Sequence, residues 1–142
     1  MTKSSAQQLK TWRSLTLQKE IRLAIIIPCF NEEPTVATVV KRFAQAAPTA
    51  AIFVVDNAST DNTAKNAKSA GATVLTQMLP GKAHAIRHAF ANIDADIYVM
   101  VDGDDTYDAD VVTLMVDKLI SCQLDMVVGK RSAAPASAYR FG

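Results

Sequence analysis

The feature that most constrains the fold is a largely apolar segment, Ile97 to Val101, that leads directly into a group of aspartates. An unbroken run of this length is typical of a strand buried on both faces, as in a parallel sheet covered by helices. Side chains alternate faces along a strand, so Asp102 and Asp104 are expected to point to the same side where the strand ends. Gly103 between them allows the backbone to bend and to approach a ligand closely.

This pair of carboxylates predicts a metal site at the end of the strand. Carboxylate oxygens are hard ligands that suit Mg²⁺ or Mn²⁺ and not zinc. Such a site keeps coordination positions that phosphate oxygens can fill, so the hypothesis is a metal that holds a diphosphate. The alternative is that Asp104, Asp105 and Asp108 only solvate a loop and cap the next helix, because short motifs recur by accident.

The same pattern recurs along the chain and predicts the fold class. Strands are predicted over 23–28, 51–55, 73–76, 97–101 and 126–128, and helices over 34–47, 62–70, 82–91 and 109–121. Regular alternation of strands and helices predicts a parallel sheet with right-handed crossovers, whose faces are both covered by helices. We therefore predict an α/β fold with three α/β/α layers and a mostly parallel, Rossmann-like sheet.

Length and composition predict a single globular domain. The chain has 142 residues, and a domain of that size buries roughly two-thirds of its surface on folding. Its formal net charge of +1 gives no general attraction to nucleic acid, so no nucleic-acid partner is expected. We divide the chain into an N-terminal extension (1–22), the main domain (23–131) and an alanine- and serine-rich tail (132–142).

Cysteine use and hydropathy predict a cytoplasmic protein. Cys29 and Cys122 have no metal or redox spacing, and two isolated thiols fit a reducing compartment. The sequence has neither a signal peptide nor an apolar stretch of about 18 residues, the length that would span a membrane. Docking at the inner face of the membrane stays open, since it needs no spanning helix.

Polar residues follow the predicted strands. The carboxyl ends of parallel strands meet at one edge of the sheet, and ligands of such folds bind there. This edge is predicted to collect Pro28 to Glu32, Asp56 to Asp61, Asp102 to Asp105, and Lys130 to Arg131. The motifs G-x-G-x-x-G, G-x-x-x-x-G-K-[ST] and G-x-S-x-G are missing from the sequence, which argues against a dinucleotide dehydrogenase, a P-loop ATPase and an α/β-hydrolase.

Five segments of the chain, in matching order and spacing between about residues 22 and 131, resemble family 2 glycosyltransferases with the GT-A fold. They are Ile26 to Glu33, Val54 to Thr63, Pro80 to Lys82, Val101 to Tyr107 and Val128 to Arg131. The branch that they resemble is the dolichyl- and polyprenyl-phosphate sugar synthases. The resemblance implies a transfer, with inversion, of a sugar from a UDP- or GDP-linked donor to an acceptor such as a polyprenyl phosphate, with Mg²⁺ or Mn²⁺ as cofactor.

The resemblance also implies roles for individual residues. Asp102 and Asp104 would be the catalytic metal-binding pair, with Asp102 also near the ribose. The other donor-binding residues would be Pro28, Phe30 and Glu32 around the base and ribose, Asp56 on the base, Thr106 at the metal or phosphate, Arg131 at the diphosphate or sugar, and Gly103 and Lys82 in the matching loops. Carboxylates accept from base N–H groups and ribose hydroxyls, and arginine pairs with phosphate in a bidentate manner.

In the family, an acceptor half with the residue that acts as general base follows the matching region. Because the chain stops at Gly142, we expect it to be the nucleotide-binding part, acting with a partner subunit or as a homodimer, or else a truncated, non-catalytic nucleotide-sugar-binding module. The loop after Asp56 departs from the family, whose members are richer in glycine there. Ala83 also replaces a common glycine.

Two other functions fit the sequence less well. A sugar-1-phosphate nucleotidyltransferase would have a glycine-rich, basic first loop, whereas Pro28 to Glu33 is acidic. His84 and His88 have the i, i+4 spacing that could hold zinc on a helix. However, no third ligand is spaced nearby, and Lys82 and Arg87 surround the pair with positive charge.

Overall fold

The computed structural model describes residues 20–130, which form a parallel sheet flanked by helices. The strands are β1 (Leu23–Cys29), β2 (Ala51–Asp56), β3 (Thr73–Thr76) and β4 (Ile97–Met100). All paired neighbours run parallel, and the order across the sheet is β3-β2-β1-β4. The most buried strands, β1 and β2, lie at the centre, because their apolar runs suit burial on both faces.

Helices cover both faces of this sheet. They are α1 (Val36–Ala46), α2 (Thr63–Ser69), α3 (Lys82–Asn92) and α4 (Val112–Ser121), and a 3₁₀ turn, Ala109–Val111, precedes α4. Successive side chains of β1 point to opposite faces. Ile25 and Ile27 face the core to which α1, α2 and α4 contribute, whereas Ala24 and Ile26 face the core that α3 covers. The predicted three-layer α/β/α fold is confirmed.

Local sequence sets the boundaries of α2. The sequence predicts Asp61 as the N-cap of this helix and Gly71 as its stop. Asp61 accepts a hydrogen bond from the N–H of Thr63 at 3.0 Å, but the N-cap position is Asn62, and the helix begins at Thr63. The chain leaves the helix at Gly71, whose φ of +105° is readily adopted only by glycine. The N–H of Ala72 then bonds to the carbonyl oxygen of Ala67 at 3.1 Å, which satisfies an end of the helix that would otherwise lack a partner.

The predicted fifth strand, Met126 to Val128, is wrong. Residues 126–130 have no strand structure, and Met126 and Val128 are 74% and 79% exposed. A strand needs a neighbour for its ladder of hydrogen bonds. On this side the sheet ends at β4, which pairs with β1 and with no other described strand. The apolar run therefore has no partner to pair with in the described part of the chain.

The beginning of β1 is tied to the turn that precedes β4. The N–H of Arg22 donates to Asp96 Oδ2 at 2.9 Å, and its guanidinium lies 2.5 Å from Asp94 and 3.3 Å from Asp96. The hydrogen bonds to Asp94 and then Asp96 raise the pKa of Arg22 above its ordinary value. Exposed ion pairs of this kind contribute little stability. The contact nevertheless joins the residue before β1 to the turn before β4, two strands that pair in the sheet.

Some predictions fall outside the described range. Residues 1–19, which are most of the predicted N-terminal extension, lie there, as do Arg131 and the predicted tail. The domain boundaries at residues 22 and 131 therefore stay predictions. None of the helices within residues 20–130 has the length and apolar character needed to cross a membrane.

Candidate functional site

The loops that follow β1, β2 and β4 meet at the carboxyl edge of the sheet, which we call the rim. The N–H of Asn31 donates to Ser59 Oγ, and the N–H of Thr60 donates to Asn31 Oδ1, both at 2.9 Å. The hydroxyl of Thr35 donates to the carbonyl oxygen of Gly103 at 2.6 Å. These bonds join loops that are 28 to 68 residues apart in sequence. The predicted convergence of these three strand ends is confirmed.

Asp56 is the buried acid of the rim. It is the last residue of β2 and is 6% exposed. Its Oδ1 atom is buried and has no hydrogen-bond partner among the described residues. An unsatisfied buried acceptor costs about 1–3 kcal/mol, and in native structures such a group is usually satisfied by protein, water, an ion or a ligand. Asp56 is therefore available to accept a hydrogen bond from a ligand.

The neighbouring residue, Asn57, makes several hydrogen bonds, and no sequence motif predicted an individual role for it. Its Nδ2 group donates to the carbonyl oxygens of Gln77 at 3.0 Å and Leu79 at 2.6 Å, and its Oδ1 accepts from the N–H of Gly81 at 2.8 Å. The Asn57 side chain thereby holds the loop between β3 and α3 against the rim. Gly81 has a φ of +123°, and the next residue, Lys82, begins α3 at the rim.

The two predicted metal-binding residues have different partners. The Lys82 ammonium contacts Asp102 Oδ1, and the Tyr107 hydroxyl lies 3.3 Å from Asp102 Oδ2. Asp104 Oδ1 accepts hydrogen bonds from the N–H of Thr106 at 3.2 Å and from its hydroxyl at 2.7 Å. Asp102 is partly buried, whereas Asp104 and Thr106 are exposed.

The residues present fit a divalent cation that is shared with a diphosphate. Within residues 20–130, no group of three or more histidine, cysteine or acidic residues is placed to hold a metal. Mg²⁺ does not need such a group, since it is commonly bound through one or two carboxylates together with substrate phosphates and water. The contact with Lys82 also shows that positive charge is accommodated at Asp102. Asp102, Asp104 and the Thr106 hydroxyl would supply oxygen donors of the kind that such a cation takes.

The acids of the rim surround Cys29, the last residue of β1. Burial, and to a smaller extent the negative charges of four carboxylates, raise the pKa of the Cys29 thiol to about 12. Those carboxylates are Glu32, Asp56, Asp102 and Asp104, which are the four acidic residues that the sequence assigned to the site. The thiol therefore stays protonated and unreactive at neutral pH. It serves as an apolar centre around which the acids are arranged.

Gly103 is needed for close packing against β1. A Cβ at this position would lie 2.5 Å from Cys29 Sγ and 3.5 Å from Glu32 Cγ. The structure shows a close approach to β1, and the predicted close approach of this backbone to a ligand stays a prediction. The loop is also braced by α1, since Arg42 pairs with Asp105 at 2.6 Å, and Asp105 has a φ of +59°.

Charge-assisted hydrogen bonds join the loop after β2 to the loop after β1. The Glu33 carboxylate accepts from the N–H of Asn62 at 3.0 Å and from its side-chain amide at 2.9 Å. These bonds lower the pKa of Glu33. The hydroxyl of Thr63 similarly lowers the pKa of Asp61. Ala58, in the same loop, has a φ of +58°, so this departure from a glycine-rich family loop keeps a backbone conformation that favours glycine.

Three of the remaining predicted site residues lie at the end of β1 or in the loop that follows it, and the fourth lies outside the described residues. Phe30 is 60% exposed, Pro28 is half-buried in β1, and Glu32 Oε2 accepts from the Thr35 hydroxyl at 3.3 Å. Arg131 lies outside the described residues. Their predicted contacts with a donor stay predictions. His88 lies 3.4 Å from the side-chain amide of Asn92.

Comparison with known proteins gives a consistent family match. Residues 24–141 match the family model described as Glycosyl transferase family 2. Protein RfbJ of Shigella flexneri is 51% identical over 121 residues, which cover 84% of this chain and 94% of RfbJ. Glycosyltransferase AglJ of Haloferax volcanii is 38% identical over 112 residues, which cover 78% of this chain and 36% of AglJ.

Solved structures of low sequence identity share the fold. Glucosyl-3-phosphoglycerate synthase from Mycobacterium tuberculosis in complex with UDP superposes with a TM-score of 0.63 at 20% identity, covering 85% of this chain and 46% of the synthase. The same enzyme in complex with Mn²⁺, UDP-glucose and phosphoglyceric acid gives a TM-score of 0.61 at 23% identity, covering 88% and 45%. The chain thus spans most of RfbJ but less than half of AglJ and of the synthase.

Replacing Gly103 with alanine tests the packing of the rim on β1. The new Cβ would lie 2.5 Å from Cys29 Sγ, and the buried strand leaves the sulfur little room to move. We expect the free energy of unfolding, measured by urea denaturation, to fall by about 1–3 kcal/mol. In a Cys29→Ala background the same substitution should cost much less. An equal loss in both backgrounds would show that the sulfur contact is not the cause.

Replacing Ala58 with glycine should stabilise the protein. The left-handed conformation costs a non-glycine residue about 1–2 kcal/mol, and glycine loses about 0.5–1 kcal/mol of backbone entropy on folding. We therefore expect urea denaturation to show a gain of about 0.5–1 kcal/mol. Ala44→Gly, at an exposed position inside α1, is the matched control and should lose about 1 kcal/mol. A loss at both positions would contradict the strain at Ala58.

Proposed function

The chain belongs to glycosyl transferase family 2, and we propose that its rim binds a nucleotide-diphosphate sugar and that the sugar is transferred, with inversion, to an acceptor. The donor is a UDP- or GDP-linked sugar, held by its base at Asp56 and by its diphosphate near Asp102 and Asp104. Mg²⁺ or Mn²⁺ completes the site. The acceptor is a lipid phosphate of the polyprenyl type.

The observation that carries this proposal is the buried Asp56 Oδ1, which lacks a partner among the described residues. Uracil and guanine both present ring N–H groups in the plane of the base, and a carboxylate is an acceptor for them. A bound base would satisfy the oxygen and offset its desolvation. Phe30, which is 60% exposed at the end of β1, supplies an apolar surface at the same rim.

The diphosphate is the part of the donor on which charge develops as the glycosidic bond breaks. A divalent cation supplies electrostatic stabilisation of the leaving diphosphate when it is bound. Asp102 and Asp104 would hold this cation, and the Thr106 hydroxyl, which orients Asp104, would lie beside it. The presence of Mn²⁺ and UDP-glucose in the crystal of the synthase supports this choice of cofactor and donor class. We assign Arg131 to the diphosphate or sugar on the basis of the family resemblance.

A lipid-phosphate acceptor suits a site of this composition. The second pKa of a phosphate monoester is about 6, so the attacking oxygen is already largely ionised at neutral pH. Such an acceptor needs no strong general base from the protein. The described residues at the rim supply carboxylates for the donor, and the acceptor side would be completed by further protein, a partner subunit or a second copy of the chain.

A second candidate is a nucleotide-sugar-binding module without transfer activity. It would bind the donor through the same rim residues, and the chain spans 94% of RfbJ, 36% of AglJ and 46% of the synthase. The two candidates are separated by assaying sugar transfer from UDP- and GDP-sugars to polyprenyl phosphate with Mg²⁺ or Mn²⁺, alongside calorimetry of nucleotide binding. Turnover supports the enzyme, and metal-dependent binding without product supports the module. Absence of both binding and turnover would contradict both candidates.

Substitution of Asp104 tests the position of the metal. Asp104→Ala is expected to abolish Mn²⁺-dependent binding of UDP or GDP in calorimetry, because it removes a carboxylate ligand. Asp110→Ala, which removes an exposed carboxylate from the 3₁₀ turn before α4, should leave binding unchanged. The free energy of unfolding of the Asp110→Ala variant should fall by less than about 1 kcal/mol, which is the usual contribution of an acidic residue at the start of a helix. Equal losses of binding would show that the metal lies elsewhere.

Substitution of Asp56 tests the base contact through two effects of opposite sign. Asp56→Asn keeps the shape but removes a buried charge, so the free energy of unfolding without nucleotide should rise by about 1 kcal/mol. Nucleotide affinity should fall by about tenfold, since a charge-assisted hydrogen bond is lost. Asp117→Asn, on the exposed part of α4, should change neither quantity. Unchanged nucleotide affinity in Asp56→Asn would refute the base contact.

A further inference from the structure

Lys82 occupies the position at Asp102 that a metal ion would need. Its ammonium contacts Asp102 Oδ1, and 20 residues separate the two in sequence. We propose that Lys82 is an exchangeable counter-ion, which leaves Asp102 when a divalent cation binds there and then pairs with the donor's diphosphate. The metal and the nucleotide would consequently bind as a coupled pair. This inference rests on the proposed function, because it takes Asp102 as a metal ligand.

The geometry favours exchange by the side chain alone. Asn57 makes three hydrogen bonds to the loop that precedes Lys82, so the backbone of that loop is held in place. The Lys82 side chain itself is 60% exposed. Lysine carries its charge on a flexible four-carbon stem, and its ammonium bonds without a fixed direction. The ammonium can therefore change partner without any change in the fold.

The local charge explains why a cation is kept at Asp102. Four carboxylates act on the single sulfur of Cys29, so the rim concentrates negative charge. Among the described residues, Lys82 is the cation that pairs with Asp102. Arg42 pairs with Asp105 instead. A divalent cation on Asp102 would be repelled by an ammonium at the same oxygen. Lys82 must then leave, and the diphosphate of the bound donor would offer its ammonium a new negative partner.

Exchange predicts a specific pattern of affinities. A cation binding alone must displace Lys82 without giving it a new partner, so it binds weakly. With the diphosphate present the ammonium is paired again, and each ligand increases the affinity for the other by the same factor. Removal of the Lys82 charge should therefore help the metal alone and harm the nucleotide. A residue with a merely structural role would weaken both when it is replaced.

The test is calorimetry and Mn²⁺ electron paramagnetic resonance on the full chain and on Lys82→Met. With MnCl₂ alone, we expect the Lys82→Met variant to bind Mn²⁺ about threefold more tightly. A change of this size corresponds to the free energy of one exposed ion pair. With MnCl₂ present, we expect its affinity for UDP or GDP to fall by about tenfold, since a charge-assisted bond to phosphate is lost. Lys82→Arg, which keeps the charge, should stay closer to the unchanged protein in both measurements.

The control is Lys68→Met, in the last turn of α2, because that turn lies at the opposite edge of the sheet from the rim. It should leave both affinities unchanged. Weaker, unchanged or undetectable Mn²⁺ binding by Lys82→Met without nucleotide would overturn the exchange. Failure of the unsubstituted chain to bind UDP or GDP with Mn²⁺ would instead contradict the proposed function. The two failures are thus distinguishable in one set of titrations.

Discussion

The rim depends on the buried carboxyl end of β1. Cys29 pairs with Asp56 in the parallel register, and its carbonyl oxygen accepts the N–H of Asn57 at 2.8 Å. Gly103 packs so closely over its sulfur that a Cβ would not fit. The central strand of the sheet thereby sets the distance between the loop that follows β2 and the loop that follows β4. The buried contact between Gly103 and Cys29 thus lies between the residue assigned to the base and the residues assigned to the diphosphate.

Bringing four acids together is unfavourable unless their charges find partners. The structure supplies Lys82 for Asp102, and the hydroxyl and N–H of Thr106 for Asp104. Asp56 Oδ1 has no such partner, so the cost of its burial is not offset by any of the described residues. Asp102 and Asp104, at the proposed metal site, and Glu32 each have a protein partner, whereas Asp56, at the proposed base site, has an oxygen without one among the described residues. This division supports the separate roles that the family resemblance suggests.

Backbone strain is also concentrated at the rim. Among the described residues four non-glycine residues have positive φ, and three of them, Asn31, Ala58 and Asp105, lie in the loops that follow β1, β2 and β4. Strained conformations persist where the surrounding structure over-determines them, which is common at functional sites. Here the hydrogen bonds of Asn31 to the β2 loop and the ion pair of Asp105 with Arg42 hold them. The fold therefore places loops that are braced by hydrogen bonds and an ion pair at its carboxyl edge.

The sequence alone determined the layers, the parallel strands and the acids at their ends, because periodicity and strand alternation are local properties. It also predicted the helix stop at Gly71 from neighbouring residues, whereas the N-cap that it predicted at Asp61 lies one residue later, at Asn62. Only the tertiary structure decided that Asn57 holds the loop before α3, that Lys82 pairs with Asp102, and that Asp56 is left without a partner among the described residues. It also decided that Met126 to Val128 is not a strand. These outcomes depend on contacts between distant segments, which no short window of sequence contains.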